Sequence, residues 1–135
     1  MVGRTWLVSL SDESCSSRLE EAVVGRLGVV VGGKPEVFPV CHVYVDGYVV
    51  FATNEGTKMH SALEWPWVAF EVDGIEPDRS SAWSVMVCGQ AVEVTDPDDI
   101  ARVAALQKFT FRVDGSVRWI RVVPTTVTGR QVAVG

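Results

Sequence analysis

The segment TNEGTK at residues 53–58 contains residue types that bind a phosphate group. Lys58 offers a mobile ammonium, and the hydroxyls of Thr53 and Thr57 offer hydrogen bonds. Gly56 lets the backbone N–H groups that open a following helix approach an anion, with the helix dipole behind them. From the residues alone, a capped loop without a ligand is the better explanation of the segment, because a lone Gly-Thr-Lys is a weak motif. Two interpretations therefore remain open, a phosphate corner and a structural turn.

Cys41 and His42 are adjacent in a predicted strand. A thiolate beside an imidazolium is a nucleophile, but neighbours on a strand point to opposite faces and do not form a dyad within it. Cys41 is better explained as a small apolar filler. One cysteine and one histidine also fall short of a metal site, so we predict none. His42 remains open to four roles: a polar contact to a ligand, an axial ligand of a haem, a proton donor near neutral pH, or a half-buried histidine with a satisfied hydrogen bond.

Composition limits the class of protein. The chain has 135 residues, 47% apolar and 21% charged, which predicts one globular domain over residues 1–135. The balance of 12 basic and 17 acidic residues gives a net charge of −5 and argues against nucleic-acid binding. No apolar run approaches the ~20 residues of a membrane span, and the N-terminus lacks the features of a secretory signal. Three widely spaced cysteines make no disulfide framework, so we expect a cytoplasmic protein without a membrane partner.

Turn signals and hydrophobic patterns predict six strands and three short helices. Asp46-Gly47 is a strong two-residue hairpin signal, Gly32-Gly33 marks another tight turn, and Gly89 indicates a bulge or bend. Because strands joined by tight turns pair with their neighbours, we predict a mainly β, antiparallel fold, either a small barrel or a sandwich. The predicted strands are 27–31, 35–45, 48–53, 67–72, 83–94 and 117 to about 127, and the predicted helices are 11–22, 57–63 and 96 to about 108.

An ordered set of segments carries a resemblance to a known family. The segments are GRLGVVVGGKPEVFPV, VVFATNEGTK, VAFEVDGIEP, WSVMVCGQAVEVTDP and WIRVVPTTVTGR. Their order and spacing resemble the pyridoxamine 5′-phosphate oxidase-like family of FMN-binding split barrels, in its short actinobacterial branch. The resemblance covers nearly all of residues 11–130. It implies a six-stranded antiparallel split β-barrel that forms a homodimer, with FMN in a cleft shared by the two subunits.

The resemblance also implies which residues bind the cofactor. They form four groups: Phe38, Pro39, Val40, Cys41 and His42 along the flavin ring; Thr53, Thr57 and Lys58 at the phosphate; Trp83 and Ser84 near the ring from a later strand; and Trp119 and Arg121, from the same or the partner subunit. Catalytic residues stay unassigned. The loops at residues 75–82 and 109–116 are expected to face the substrate.

The implied function is flavin-dependent oxidoreduction of an unidentified small substrate. The cofactor carries the hydride chemistry, and the protein supplies position and electrostatics. One alternative is a non-catalytic carrier or sensor of the same fold for FMN, the deazaflavin F420 or haem, with His42 as the axial ligand of a haem. Another is a dimeric structural protein whose apolar cleft is only an interface.

Overall fold

One antiparallel sheet that closes on itself forms the body of the protein, in a computed structural model that describes residues 5–108 and 116–134. The strands are β1 Thr5–Ser9, β2 Val24–Val31, β3 Lys34–Val45, β4 Tyr48–Asn54, β5 Trp67–Ile75, β6 Ser81–Val94 and β7 Val117–Val134. The helices are α1 Asp12–Glu21, α2 Lys58–Ala62 and α3 Pro97–Leu106.

The last strand, β7, closes the barrel. The sheet order is β1-β7-β4-β3-β2-β5-β6, and a further pairing of β7 with β6 joins its two sides. Residues 117–122 of β7 pair with β4, and residues 119–133 pair with β6. The result is a ring of six antiparallel strands, which confirms the predicted six-stranded barrel and its mainly β class. The strand β1 lies outside this ring and pairs with residues 130–134 of β7.

Two parts of the sheet differ from the sequence prediction. The strand β1 was not predicted, and β7 ends at Val134 rather than near residue 127. Both differences have one cause, because β1 and the distal half of β7 pair with each other. A five-residue segment is too short to show a periodic pattern, and its strand conformation depends on a partner more than a hundred residues away.

Alternation along the strands fills the barrel with apolar side chains. The buried residues of the core include Leu27, Val29, Val49, Phe51, Phe70, Val72, Val85, Val87, Ile120 and Val122. Each such side chain contributes roughly 1.5–3 kcal/mol when it is fully buried. The helix α1 adds Cys15 and Leu19 to the same core. Residues of opposite parity face outward, so the outer surface of the sheet is the side available for a ligand.

The helices begin where the sequence predicts. The side chain of Ser11 accepts a hydrogen bond from the Ser14 amide at 3.1 Å and caps α1. Asp96 caps α3 by accepting from the Asp98 amide at 2.8 Å, and Pro97 occupies the first turn. The helix α3 packs on the outer face of the barrel, where Val103 belongs to a second cluster with Val43 and Val50. The helix α3 thus forms a wall beside the outer surface of β3 and β4.

Both predicted hairpin turns are present. Val31 pairs with Lys34 across Gly32-Gly33, and Val45 pairs with Tyr48 across the turn formed by Asp46 and Gly47. Asp46 and Gly47 have φ of 54° and 82°, the left-handed values that a two-residue type I′ turn requires. No helix in the described ranges has the length and apolarity needed to cross a bilayer.

Gly89 occupies the predicted bulge, where β6 shifts its register against β7. An ideal Cβ at this position would lie 2.0 Å from the carbonyl oxygen of Val123. We therefore expect Gly89→Ala to lower the free energy of unfolding by about 1–3 kcal/mol, because backbone must move to admit the methyl group. Urea denaturation measures the change. Gly28→Ala is the matched control, since its nearest neighbour, the Ala69 carbonyl oxygen, is 3.5 Å away. A similar loss in both variants would contradict this account.

Candidate functional site

The outer face of β3, β4 and β7 carries a groove, here called the outer groove. It has a volume of about 430 Å³ and lies between α2 and α3, within the range of about 300–1,000 Å³ typical of ligand pockets. Its lining residues are mostly apolar: Pro39, Val40, Cys41, Ala52, Asn54, Met59, Ala104, Gln107, Val117 and Trp119. A larger and more open depression of about 580 Å³ lies at the β5–β6 connection. Residues of the 75–82 segment, which was expected to face the substrate, line it, but none of the implied cofactor-binding residues does.

Residues 38–42 of β3, which the resemblance implies along the flavin ring, point alternately to the two faces of the sheet. Pro39, Val40 and Cys41 line the outer groove. Val40 is also a buried member of the core cluster, Phe38 packs against that cluster, and His42 is 3% exposed inside the barrel. Pro39 and Cys41 are thus placed to contact a ligand in the groove, whereas Phe38 and His42 lie on the other side of the sheet. The expectation that Cys41 and His42 do not form a dyad agrees with these positions.

His42 is hydrogen-bonded within the core. Its Nε2 lies 2.9 Å from the Leu19 carbonyl oxygen, so Nε2 carries the proton and donates to α1. Nδ1 is buried and has no hydrogen-bond partner among the described residues. The ring meets Phe70 edge-on at 4.7 Å between centroids. Burial lowers the pKa of His42, against the opposing effect of the bond to Leu19, and Lys108 adds to the lowering.

The two threonine hydroxyls of the segment at residues 53–58 form hydrogen bonds within the protein. The Thr57 hydroxyl donates to the Asn54 carbonyl oxygen at 2.7 Å and accepts from the His60 amide at 3.2 Å, which caps α2. The Thr53 hydroxyl is buried and lies 2.8 Å from His60 Nδ1. A phosphate contact by either hydroxyl would exchange one of these bonds, and it stays a prediction. Lys58 begins α2, but its side chain lies outside the described part of the structure.

Trp83 and Ser84 lie on opposite faces of β6. The Trp83 ring packs against Gly74 on one side, and the Arg18 guanidinium lies 4.4 Å from its centroid. Arg18 also pairs with Glu76 at 2.6 Å, which ties α1 to the β5–β6 connection. Ser84 has outward parity, because the next residue, Val85, is fully buried. Neither residue lines the outer groove of its own chain.

Trp119 and Arg121 lie on the outer face of β7. Trp119 lines the outer groove. Arg121 lines a small adjoining cavity of about 80 Å³ beside α3, and its guanidinium lies 5.0 Å from the Tyr48 ring centroid. Its Nε is buried without a partner in the described ranges. Asp99 and Arg102 line the same cavity, so Arg121 is not an isolated cation.

Several lining residues were not predicted from the sequence. They are Ala52, Asn54, Met59, Ala104, Gln107 and Val117. The outward residues of β4 had a usable signal, since Ala52 and Asn54 alternate with the buried Thr53. No sequence pattern predicted Ala104 and Gln107 as lining residues, because they reach the groove only through the packing of α3 on the barrel. The loop predicted at residues 109–116 falls almost wholly outside the described residues.

The groove is poor in reactive side chains. Cys41 is its one titratable lining residue among those described, and burial raises the pKa of the Cys41 thiol. The thiol is therefore protonated at neutral pH and packs as a small apolar group. In the described ranges, no three His, Cys, Asp or Glu side chains converge as metal ligands would.

Comparison with known proteins establishes the family. A family model described as pyridoxamine 5′-phosphate oxidase matches residues 11–131, and the chain belongs to that family. An uncharacterized protein of Mycobacterium tuberculosis is 33% identical over 105 residues, which span 74% of this chain and 69% of the relative.

Solved structures extend the similarity to the whole barrel. The FAD binding protein from Mycobacterium smegmatis is 33% identical with a TM-score of 0.79, over 92% of this chain and 98% of that one. A FAD-binding protein from Mesorhizobium loti is 25% identical with a TM-score of 0.84, over 96% of this chain and 99% of that one. The family predicted from the sequence is confirmed.

Acid should destabilise the barrel through His42. Its pKa in the folded protein lies below the ordinary 6.5, so the unfolded chain binds more protons as the pH falls past that value. The contribution of neutral His42 to the free energy of unfolding is fully present above about pH 6.5 and decreases below it. We expect a decrease of up to about 1 kcal/mol between pH 7 and pH 5.5. Urea denaturation at the two pH values measures this loss. We expect His42→Gln to reduce the pH dependence and His60→Gln to retain it; the reverse result would contradict the assignment.

Proposed function

We propose that the protein binds a flavin in the outer groove and acts as a flavin-dependent oxidoreductase. The observation that carries the proposal is the groove, an apolar cleft of ligand size on the outer face of the barrel. It occurs in a chain of the pyridoxamine 5′-phosphate oxidase family, two of whose solved structural neighbours are FAD-binding proteins. Their similarity to this chain spans the elements that build the groove.

The lining of the groove suits a planar ring with polar edges. Pro39, Cys41 and Trp119 offer apolar surface, and the small side chains of Ala52 and Ala104 leave room between the walls. The amide groups of Asn54 and Gln107 supply the few polar contacts that orient a ligand in such a pocket.

The phosphate end of the ligand is proposed to lie at the start of α2. Lys58 directly precedes Met59, which lines the groove, and Gly56 is left-handed with φ of 79°. Among the described residues, one such corner adjoins the groove, so we propose FMN, which carries a single phosphate. FAD is compared with FMN in the same titration.

A bound flavin supplies hydride transfer, which no protein side chain can perform. The protein's own share is binding and orientation. Trp119 and the α3 wall exclude water from one side of the groove, and the protonated Cys41 thiol packs without reacting.

A second candidate is a non-catalytic flavin carrier of the same fold. The observation that favours it is the scarcity of proton donors, since Cys41 is the one titratable group of the described lining. His42 gives no support to haem ligation, because Leu19 occupies its Nε2 and the ring lies inside the barrel. Reduction of the bound flavin by a nicotinamide, followed by repeated turnover with an electron acceptor, supports the enzyme. Tight flavin binding without turnover supports the carrier.

The visible spectrum of the purified protein tests the binding itself. Flavin absorption bands that are released on denaturation are expected, and titration of stripped protein with FMN and FAD identifies the preferred form. A Soret band would show that the bound cofactor is haem and not a flavin. A colourless protein that binds neither flavin would overturn the proposal.

Filling the groove should abolish flavin binding. Ala104 lines the groove, so Ala104→Trp places an indole where the ring is proposed to lie, and we expect at least a tenfold loss of affinity. Ala105→Trp is the matched control, because the neighbouring residue is exposed and does not line the groove. Fluorescence titration with FMN measures both. Equal affinities would place the flavin elsewhere.

The phosphate corner is tested separately. We expect Lys58→Ala to weaken FMN binding about tenfold or more, since it removes the lysine next to the groove and a charge-assisted bond is worth about 1.5–3 kcal/mol. Lys34→Ala, at the distant β2–β3 turn, is the control. Riboflavin, which has no phosphate, should bind the wild type and Lys58→Ala equally. Unchanged FMN affinity in Lys58→Ala would contradict this placement of the phosphate.

A further inference from the structure

The depression at the β5–β6 connection, here called the β5–β6 depression, has an apolar floor. Ile75, Ala82 and Val132 are paired neighbours on β5, β6 and β7, so their side chains form one row on the outer surface of the sheet. Ile75 is 71% exposed and Val132 is 36% exposed. The row spans about 10 Å, because neighbouring strands lie about 4.8 Å apart. A floor of this length in a depression of about 580 Å³ accommodates an apolar body the size of a fused ring pair.

The wall beside this floor is a turn that its own hydrogen bonds hold in place. The Glu76 amide donates to the Ser81 carbonyl oxygen at 2.9 Å, and the Arg79 amide donates to the Glu76 carbonyl oxygen at 2.8 Å. The Asp78 carboxylate accepts from the Ser80 amide at 2.9 Å and from the Ser80 hydroxyl at 2.6 Å, and Asp78 does not line the depression. A ligand would therefore meet a wall that is ordered before binding.

Arg79 occupies a strained position in this turn. Its φ is 59°, in the left-handed region that glycine and asparagine adopt readily and that arginine adopts at an energetic cost. Its exposed side chain lines the depression and makes no hydrogen bond or ion pair with the described residues. No polar contact of the side chain within the described chain therefore offsets the strain. A backbone outlier beside a cavity is an observation from which a binding role is inferred.

The unpaired charge of the depression is positive. Glu76 and Arg79 are the charged residues of its described lining. Glu76 pairs with Arg18 at 2.6 Å, so its charge is already neutralised within the chain. Arg79 is left to pair with an anion from outside. The Ser81 hydroxyl accepts a hydrogen bond from Gln131 Nε2 at 3.3 Å, which leaves its own hydrogen available to the same anion.

We propose that the β5–β6 depression binds a small monocarboxylic acid with a flat apolar body. The carboxylate pairs with Arg79, because the planar fork of guanidinium donors matches its two oxygen atoms. The apolar body lies on Ile75, Ala82 and Val132 and removes their exposed surface from water. This site goes beyond the proposed function, since the depression and the outer groove share none of their described lining residues.

A titration of the purified protein with 2-naphthoate tests the binding, and flavin is neither added nor monitored. We expect saturable binding with a Kd below about 1 mM, together with shifts of the methyl resonances of Ile75, Ala82 and Val132 in NMR spectra. The probe 2-naphthamide has the same body without the charge, and acetate has the charge without the body. Each should bind at least about tenfold more weakly than 2-naphthoate. Shifts confined to the methyl groups of Ala52 and Ala104 would place the probe in the outer groove and overturn the proposal.

Variants of the wall and the floor separate the charge from the apolar contact. We expect Arg79→Gln to weaken 2-naphthoate binding at least about tenfold and Ile75→Ser to weaken it at least about fivefold. Arg102→Gln is the control, because it removes the same charge from an exposed side chain that does not line the depression. Arg79→Asn adds a structural readout. Since asparagine adopts the left-handed conformation readily, this variant should lose binding while its free energy of unfolding stays the same or rises.

Three results would each overturn the proposal: no saturable binding by the wild type, equal affinities for 2-naphthoate and 2-naphthamide, or an unchanged affinity in Arg79→Gln. A negatively charged membrane is the competing partner for an apolar surface beside a cation. Sedimentation with phosphatidylglycerol vesicles tests it. Co-sedimentation of the wild type but not of Arg79→Gln, without binding of 2-naphthoate, would show that the surface recognises lipid and not a small acid.

Discussion

The pairing of β7 with three other strands is the interaction on which the rest of the structure depends. Its first half lies between β4 and β6, and its second half lies between β1 and β6. Closure converts an open meander into a ring with an inside and an outside. Once the ring is closed, every strand residue belongs to one side or the other, because side chains alternate. The apolar interior stabilises the barrel, and the exterior is left for ligands and partners.

That division separates side chains that the chain places next to each other. His42 is inside while Cys41 lines the groove, and Trp83 is inside while Ser84 faces outward. His42 donates a hydrogen bond to the Leu19 carbonyl oxygen, and the Trp83 ring packs against Gly74 and the Arg18 guanidinium. The outer groove that remains is apolar and nearly without titratable groups. In the proposed function, such a groove binds and orients the flavin, and the flavin provides the chemistry.

The sequence alone determined the local features of this protein. The hairpins at Gly32-Gly33 and Asp46-Gly47, the bulge at Gly89 and the starts of the helices near residues 11 and 96 were all predicted, because each depends on a few adjacent residues. The family was also readable, since its motifs are linear. The predicted strands and turns left a small barrel and a sandwich open, and the resemblance to the family implied the barrel.

Only the tertiary structure decided where those residues meet. It made a strand of residues 5–9 by pairing them with the end of β7, and it brought Ala104 and Gln107 to the groove by docking α3. It also assigned the implied site residues to opposite faces of the sheet, so that Pro39, Cys41 and Trp119 line the groove from the outer face while Phe38 and His42 lie on the inner face. The physical reason is the same in each case: these contacts join residues far apart in the chain, and a local pattern carries no record of its distant partner.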